Sequence, residues 1–130
     1  MTQHAILSAS SAERWLHCPP SARLNEKAAD FTSEYAREGS EAHALCEFRL
    51  KLALGMETED PVPDLSMYSQ EMEDAAEQYI DRVLETLAAV RKTTPDLAVL
   101  IEQRLDFSDY VPCGFGTADC VILADKTLHL

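Results

Sequence analysis

A chain of 130 residues is long enough for one domain, and 46% hydrophobic residues are enough for a core, so a folded protein is expected. Lys and Arg number 11 against 23 Asp and Glu, which gives a net charge of −12. This charge would repel a nucleic-acid backbone at long range. Any binding of DNA must therefore be local, in a groove that carries metal ions or basic side chains.

The composition also bears on the compartment. The longest apolar runs are much shorter than the roughly 18 residues of a membrane span, and no basic-then-apolar leader opens the chain. We therefore expect a cytoplasmic protein without membrane contact. Because the cysteines are scattered and form no CxxC pair, the pattern argues against a zinc ribbon or a disulfide framework. Free thiols are expected at Cys18, Cys46, Cys113 and Cys120.

The first predicted element is a short helix. Ser10 and Glu13 have the form of a capping box, which predicts a helix from about Ser11 to the proline pair at 19–20. Because so short a helix is unstable alone, Trp15 is expected to anchor it to the fold rather than to stack on a base.

A second helix is predicted by apolar residues at helical spacing. It should begin at Ser40, just after Gly39, and run to about Leu54, where Gly55 ends it. Residues 57–66 contain two prolines and several acids, which indicates a solvated connector.

The clearest pattern is an amphipathic helix from about Ser69 to Thr93. An exposed apolar stripe would be an unusually large patch, so the stripe should pack against the strands, with Ile80 and Leu84 almost completely buried. The stripe comprises Met72, Ala75, Ala76, Tyr79, Ile80, Val83, Leu84, Leu87 and Val90.

After Pro95 the apolar residues alternate, which is typical of strands. The mainly apolar face of the first strand should include Val99, Ile101 and Leu105. The predicted elements are a strand over 99–107, a loop punctuated by Gly114 and Gly116, a strand over 118–123, a tight turn at 125–126 and a third strand from Thr127.

Helices followed by a strand meander predict an α+β (or α/β) class. We expect one domain over residues 1–130, with a helical part at 1–94 and a strand part at 95–130. The last strand begins only at Thr127, and an open ladder leaves unsatisfied backbone groups. The domain is therefore expected to be incomplete at Leu130, and self-association through the open strand edge is expected.

Three residues are candidates for chemistry, and each has an ordinary alternative. His43 lies on the second predicted helix, one turn from its expected N-terminus, although a lone helix histidine is more often a surface residue than a ligand. Glu102 is central in a predicted strand, where burial of a carboxylate is costly unless the carboxylate meets a cation. The ordinary alternative is an edge strand on which Glu102 faces water beside Arg104. Asp119 follows a glycine loop at a strand mouth, where an aspartate is usually a turn former.

Together, an imidazole and two carboxylates in the order helix, strand, strand form a donor set suited to Mg²⁺ or Mn²⁺. Such ions can activate water and neutralise the charge that develops when a phosphodiester is cleaved. The sequence contains no P-loop, no GxSxG elbow and no HExxH zinc helix.

Three segments carry a family resemblance. Residues 7–19 (LSASSAERWLHCP) resemble the start of RecB-like PD-(D/E)XK nuclease domains, in particular a phage and prophage family of uncharacterised exonucleases. Residues 38–45 (EGSEAHAL) resemble its EGTxxH helix start, and residues 102–119 (EQRLDFSDYVPCGFGTAD) its E…LDF…GFGTAD segment. The resemblance implies a restriction-endonuclease-like mixed sheet and a metal-dependent exonuclease that acts on DNA.

The resemblance also implies roles for matching residues. His43 would be the metal-binding histidine, Asp119 the first essential carboxylate and Glu102 a supporting acid at the metal. The family's next strand carries a (D/E)xK pair that completes the site, and residues 127–130 (TLHL) do not contain it. We therefore expect residues 1–130 alone to be inactive on DNA.

The cysteine pattern also bears on an iron–sulfur cluster. Some RecB-like relatives bind an iron–sulfur cluster through one early and three later cysteines. Cys18 matches the early position, but Cys113 and Cys120 lack the clustered spacing, so no cluster is expected here.

The alternative function is a non-enzymatic acidic module that binds a protein partner, such as a phage recombination or defence component, through its helices.

Overall fold

The computed structural model describes residues 5–28 and 33–130. Within these residues, no helix is both long and apolar enough to cross a membrane. The fold is α+β, as predicted: helices precede an antiparallel sheet with strand order β1-β2-β3. The helices are α1 (Ala12–His17), α2 (Pro20–Glu26), α3 (Glu34–Ala53) and α4 (Gln70–Thr93), and the strands are β1 (Leu97–Asp106), β2 (Phe115–Ala124) and β3 (Thr127–His129).

The chain divides into two compact units. The first comprises Met1–Phe31 with Gln103–Ala118, and the second comprises Thr32–Glu102 with Asp119–Leu130. Strands β1 and β2 each contribute residues to both units.

In the first unit, the predicted short helix is confirmed as α1, but its capping box does not form. Ser10 lies instead in a 3₁₀ turn over Ala9–Ser11, and the N-cap Ser11 makes no side-chain capping bond. The indole Nε1 of Trp15 donates a hydrogen bond to the carbonyl oxygen of Ser8 at 2.9 Å. Trp15 therefore ties α1 to the segment that precedes it.

Helix α2 was not predicted. The proline pair ends α1, as expected, but Pro20 also occupies the first turn of the next helix. Proline is favoured there because its missing N–H would be unpaired anyway and its fixed φ is already helical.

The β1–β2 loop of the first unit packs around one aromatic ring. The Phe107 N–H donates to the carbonyl oxygen of Gly114 at 3.1 Å. A Cβ on Gly114 would lie 2.7 Å from the Phe107 ring, so the close approach requires glycine at this position.

In the second unit, α3 begins at Glu34, six residues before the predicted start at Ser40. The Ser33 hydroxyl accepts a hydrogen bond from the Ala36 N–H at 3.1 Å and so caps an earlier start. Gly39 lies inside the helix, and its substitution by a larger residue would meet no steric obstacle. Since a single interior glycine costs only about 1 kcal/mol, it does not end a capped helix.

The predicted end of this helix at Gly55 is confirmed, and its geometry is a Schellman motif. Gly55 has a φ of 71°, in the left-handed region. Its N–H donates to the Leu52 carbonyl at 3.0 Å, and the Met56 N–H donates to the Lys51 carbonyl at 2.9 Å.

Two clusters form the core of the second unit. In the first, Leu45 and Phe48 of α3 pack with Met72 and Ala76 of α4. In the second, α4 packs on the strands through Leu87, Val90, Ile122 and Ala124. Strands β2 and β3 form a hairpin next to this cluster, and Ala124 pairs with Thr127. Its turn lies at 125–126, as predicted.

Polar contacts hold the helices and the connector together. Arg49 Nε of α3 lies 2.6 Å from Glu73 Oε1 of α4, and Tyr68 donates its hydroxyl hydrogen bond to the same carboxylate at 3.0 Å. The Glu41 carboxylate accepts from the Ser66 hydroxyl at 2.7 Å and from the Met67 N–H at 2.6 Å. Glu41 thus binds the last part of the connector to α3.

Helix α4 is amphipathic and has nearly the predicted bounds, but the predicted burial is wrong in two respects. Ile80 and Leu84 are only half-buried, whereas Met72, Ala76, Leu87 and Val90 are buried. These four share one side of the helix at spacings of three, four and eleven residues, and Ile80 and Leu84 lie on its flank. In addition, only the second half of α4 packs on the strands, because α3 covers its first half.

This burial difference can be tested by truncating two leucines of the same helix. Leu87→Ala should lower the free energy of unfolding by about 2–5 kcal/mol, because it leaves a cavity at a side chain that is 2% exposed. Leu84→Ala should cost clearly less. Urea unfolding followed by far-ultraviolet circular dichroism measures both changes, and equal losses would contradict the described packing.

Candidate metal centre

His43 of α3, Glu102 of β1 and Asp119 of β2 meet in the second unit. One ligand atom from each residue lies within 4.8 Å of the other two. The closest pair is His43 Nδ1 and Asp119 Oδ1, at 3.3 Å. The structure therefore brings together all three residues that the sequence singled out, although Glu102 follows His43 by 59 positions in the chain.

The three side chains share a cavity of about 170 Å³. Four further residues line it, none of which was among the sequence-based candidates. Glu47 and Cys46 follow His43 by four and three residues, so helical spacing alone could have placed them on its face. The sequence did not mark Tyr79 as a site residue, because its position in the apolar stripe of the long helix predicted only a packing role. The complete lining is Ala42, His43, Cys46, Glu47, Tyr79, Glu102 and Asp119.

The position of His43 along α3 corrects one expectation. With the helix starting at Glu34, His43 lies in the third turn and not one turn from the N-terminus. The free amides and the dipole of the helix end are therefore too far away to help bind an anion at this residue. His43 instead contributes through its imidazole, on the side of α3 away from the buried Leu45 and Phe48.

Glu102 has an unusual backbone for a strand residue, with a φ of 49°. A non-glycine residue in the left-handed region costs on the order of 1–3 kcal/mol and is often found at functional sites. It also breaks the alternation of β1. Val99 packs in the second core cluster, as predicted for the apolar face, whereas Leu105 is 40% exposed and does not follow that face.

The carboxylate of Glu102 lies in an unfavourable electrostatic environment. Partial burial, followed by the negative charges of Asp119 and Glu47, raises its pKa above the usual value. His43 and Lys51 act in the opposite direction but do not cancel the effect. Lys51 pairs directly with Glu47, one helical turn away. A cation in the cavity would relieve the repulsion between Glu102 and Asp119.

The neighbouring thiols stay protonated. Burial, and then the charge of Asp119, raises the pKa values of Cys46 and Cys120. Cys46 lines the cavity, whereas Cys120 packs against the second core cluster. All four cysteines are free, as expected.

The donor set and its spacing fit a hard divalent cation. In an octahedral shell at about 2.1 Å, adjacent ligand atoms are about 3 Å apart and opposite ones about 4.2 Å apart. The limit of 4.8 Å observed here is slightly wider, so small side-chain rotations would close the shell. One imidazole and two carboxylates would leave further coordination positions open for water or a substrate oxygen.

The fold and this site define an α+β protein with a candidate metal centre built by one helix and two strands. The family model described as "Protein of unknown function (DUF2800)" matches residues 4–130. The chain therefore belongs to the DUF2800 family. No solved structure matches the chain.

The raised pKa of Glu102 gives a prediction for stability. Folded Glu102 holds its proton more tightly than the unfolded chain, whose carboxyl titrates near 4.5. The folded state thus binds more protons just above this pH, and stability should fall as pH rises towards the folded pKa. Without added metal, Glu102→Gln should therefore be more stable than the wild type at pH 7, with a smaller loss between pH 4.5 and 7.

Thermal unfolding in chelator across this pH range measures the effect. Glu85→Gln is the matched control, because this carboxylate is exposed on α4 and belongs to no cluster with Asp119. If Glu102→Gln is no more stable than the wild type at pH 7, the ionised carboxylate of Glu102 does not lower the stability of the fold.

Proposed function

We propose that this chain is the N-terminal part of a metal-dependent DNA nuclease, in which His43, Glu102 and Asp119 bind Mg²⁺ or Mn²⁺. One observation carries the proposal: ligand atoms from three elements distant in sequence lie within 4.8 Å of one another in one cavity. An imidazole together with two carboxylates that repel each other is a donor set that suits a hard divalent cation.

The finer proposal is that the chain is a RecB-like PD-(D/E)XK domain of a phage or prophage exonuclease. It rests on the resemblance of residues 7–19, 38–45 and 102–119, and it is supported because the histidine and acids of the last two segments share a cavity. A nuclease of this kind would act in the cytoplasm.

The residues of the site would have distinct tasks. A divalent cation held there would supply positive charge next to a phosphodiester and acidify a water molecule. His43 and Asp119, already 3.3 Å apart, would fix two positions of the shell. Glu102 would close it from β1, and its strained backbone would hold the carboxylate towards the other two. The net charge of −12 means that DNA would be held mainly through this local contact.

Metal binding is the direct test. Residues 1–130 should bind one Mn²⁺, and Asp119→Asn or His43→Ala should weaken binding by at least about tenfold, since even changes behind metal ligands cost 10–100-fold. Isothermal titration calorimetry and the electron paramagnetic resonance of free Mn²⁺ measure the affinity. Asp125→Asn is the matched control, because it makes the same chemical change in an exposed turn. Equal affinities for Asp119→Asn and Asp125→Asn would refute the site.

Hydrolysis is predicted to need more than these residues. In the resembled family, an acid and a lysine on the strand beginning at Thr127 complete the site, and residues acting as a unit are strongly non-additive. Residues 1–130 should therefore leave linear single- and double-stranded DNA intact with Mn²⁺. Gel electrophoresis with a chelator control and an Asp119→Ala control checks this. Digestion that depends on metal and on Asp119 would contradict the requirement for the acid and lysine.

A second candidate is the non-enzymatic module that binds a protein partner. One observation favours it: Leu16 of α1 and Leu24 of α2 are 66% and 71% exposed. Exposed apolar side chains of this size are typical of interaction surfaces when they cluster. A folded polypeptide that binds no Mn²⁺ would favour this alternative over the nuclease.

A further inference from the structure

Tyr79 is the polar exception on the inner side of α4. The buried residues on this side of the helix are Met72, Ala76, Leu87 and Val90, all apolar. Tyr79 is half-buried among them and lines the same cavity as His43, Glu102 and Asp119. A phenylalanine would pack equally well in an apolar stripe, so the hydroxyl needs another explanation.

The hydroxyl of Tyr79 is a hydrogen-bond donor without a protein acceptor among the described residues, whereas Tyr68 of the same unit donates to Glu73. Burial, together with the charges of Cys120, Asp119, Cys46 and Glu102, raises the pKa of Tyr79 to about 12. An ordinary phenol is already protonated at neutral pH, so the hydroxyl can donate a hydrogen bond without this shift. The hydroxyl is not among the described side-chain atoms that are both buried and unpaired, so water can solvate it in the cavity and a ligand oxygen can take the place of that water.

The charges of the cavity decide what kind of ligand oxygen it can be. Three carboxylates line it, and only that of Glu47 is paired with a lysine. An anion would be repelled unless a cation first neutralised Glu102 and Asp119. Once that cation is bound, its open positions attract an oxyanion, and the neutral hydroxyl of Tyr79 can donate to it without adding negative charge.

We propose that Tyr79 forms an oxyanion subsite beside the metal, in which its hydroxyl donates a hydrogen bond to an oxygen of a metal-bound phosphate group. This inference rests on the metal site proposed above and adds to it a substrate contact on α4. Tyr79 binds the phosphate and is not a metal ligand, since a neutral phenol is a weak ligand for hard cations. The ligand is a phosphate ester, either at a nucleotide end or inside a strand.

The test separates the metal from the phosphate. Wild-type protein loaded with Mn²⁺ is titrated calorimetrically with thymidine 5′-monophosphate and, in a second arm, with the dinucleoside phosphate dT-dT. Tyr79→Phe should leave the Mn²⁺ affinity unchanged and weaken phosphate binding about tenfold or more, as expected for a lost hydrogen bond to a charged group. Loss in the first arm alone assigns the contact to terminal phosphates, and loss in both arms extends it to diesters.

Tyr68→Phe is the matched control, because the Tyr68 hydroxyl is already bonded to Glu73. It should change neither affinity, and circular dichroism checks that both variants are folded. Phosphate binding that is equal in Tyr79→Phe and wild type, or absent from Mn²⁺-loaded wild type, would overturn the subsite. A weaker Mn²⁺ affinity in Tyr79→Phe would make the hydroxyl a metal ligand and overturn it too. Failure of the wild type to bind Mn²⁺ would instead refute the proposed metal site itself.

Discussion

The half-buried carboxylate of Glu102, placed beside the charge of Asp119, is an electrostatic constraint that the packing of the second unit has to offset. Glu102 is half-buried and Asp119 is exposed; burial of the Glu102 carboxylate, and then the charge of Asp119, disfavours its ionised form unless other interactions offset the cost. The offsetting interactions come from packing: α3 is fixed by Leu45 and Phe48 and α4 by Leu87 and Val90. A scaffold of this kind keeps the three side chains close to one another, which would lower the cost of ordering them around a cation.

Helix α3 contributes side chains both to the core and to the cavity of the candidate site. Leu45 and Phe48 pack with α4, whereas His43 and Glu47 line the cavity, and Cys46 contributes to both. The residues of the EGSEAHAL run are divided in the same way, since Glu41 holds the connector and His43 belongs to the site. A sequence motif can therefore combine residues with structural and chemical roles, and its recurrence alone does not distinguish them.

Periodicity predicted the elements whose packing is regular, and it failed where local geometry decided. The bounds of α4 and the turn at 125–126 followed from pattern, and so did the α+β class. The early start of α3 depends on a serine cap that overrides an interior glycine, and α2 begins with a proline that reads equally well as a stop. The left-handed φ of Glu102 could not be predicted from the sequence, because glycine is the residue that usually indicates such a backbone conformation.

The hydrogen bonds between Glu41 and the connector bear on where this chain can accept added residues. The segment from Gly55 to Ser69 closes a loop between two packed helices, and its last part is held at Ser66 and Met67. Added residues between Met56 and Asp60 leave the end of α3 and the Glu41 hydrogen bonds in place and only enlarge the loop, at a cost that grows slowly with its length. Added residues between Met67 and Ser69 would separate the Ser69 cap of α4 from the part of the connector that Glu41 holds. An engineered insertion is thus best accommodated in the first half of the connector.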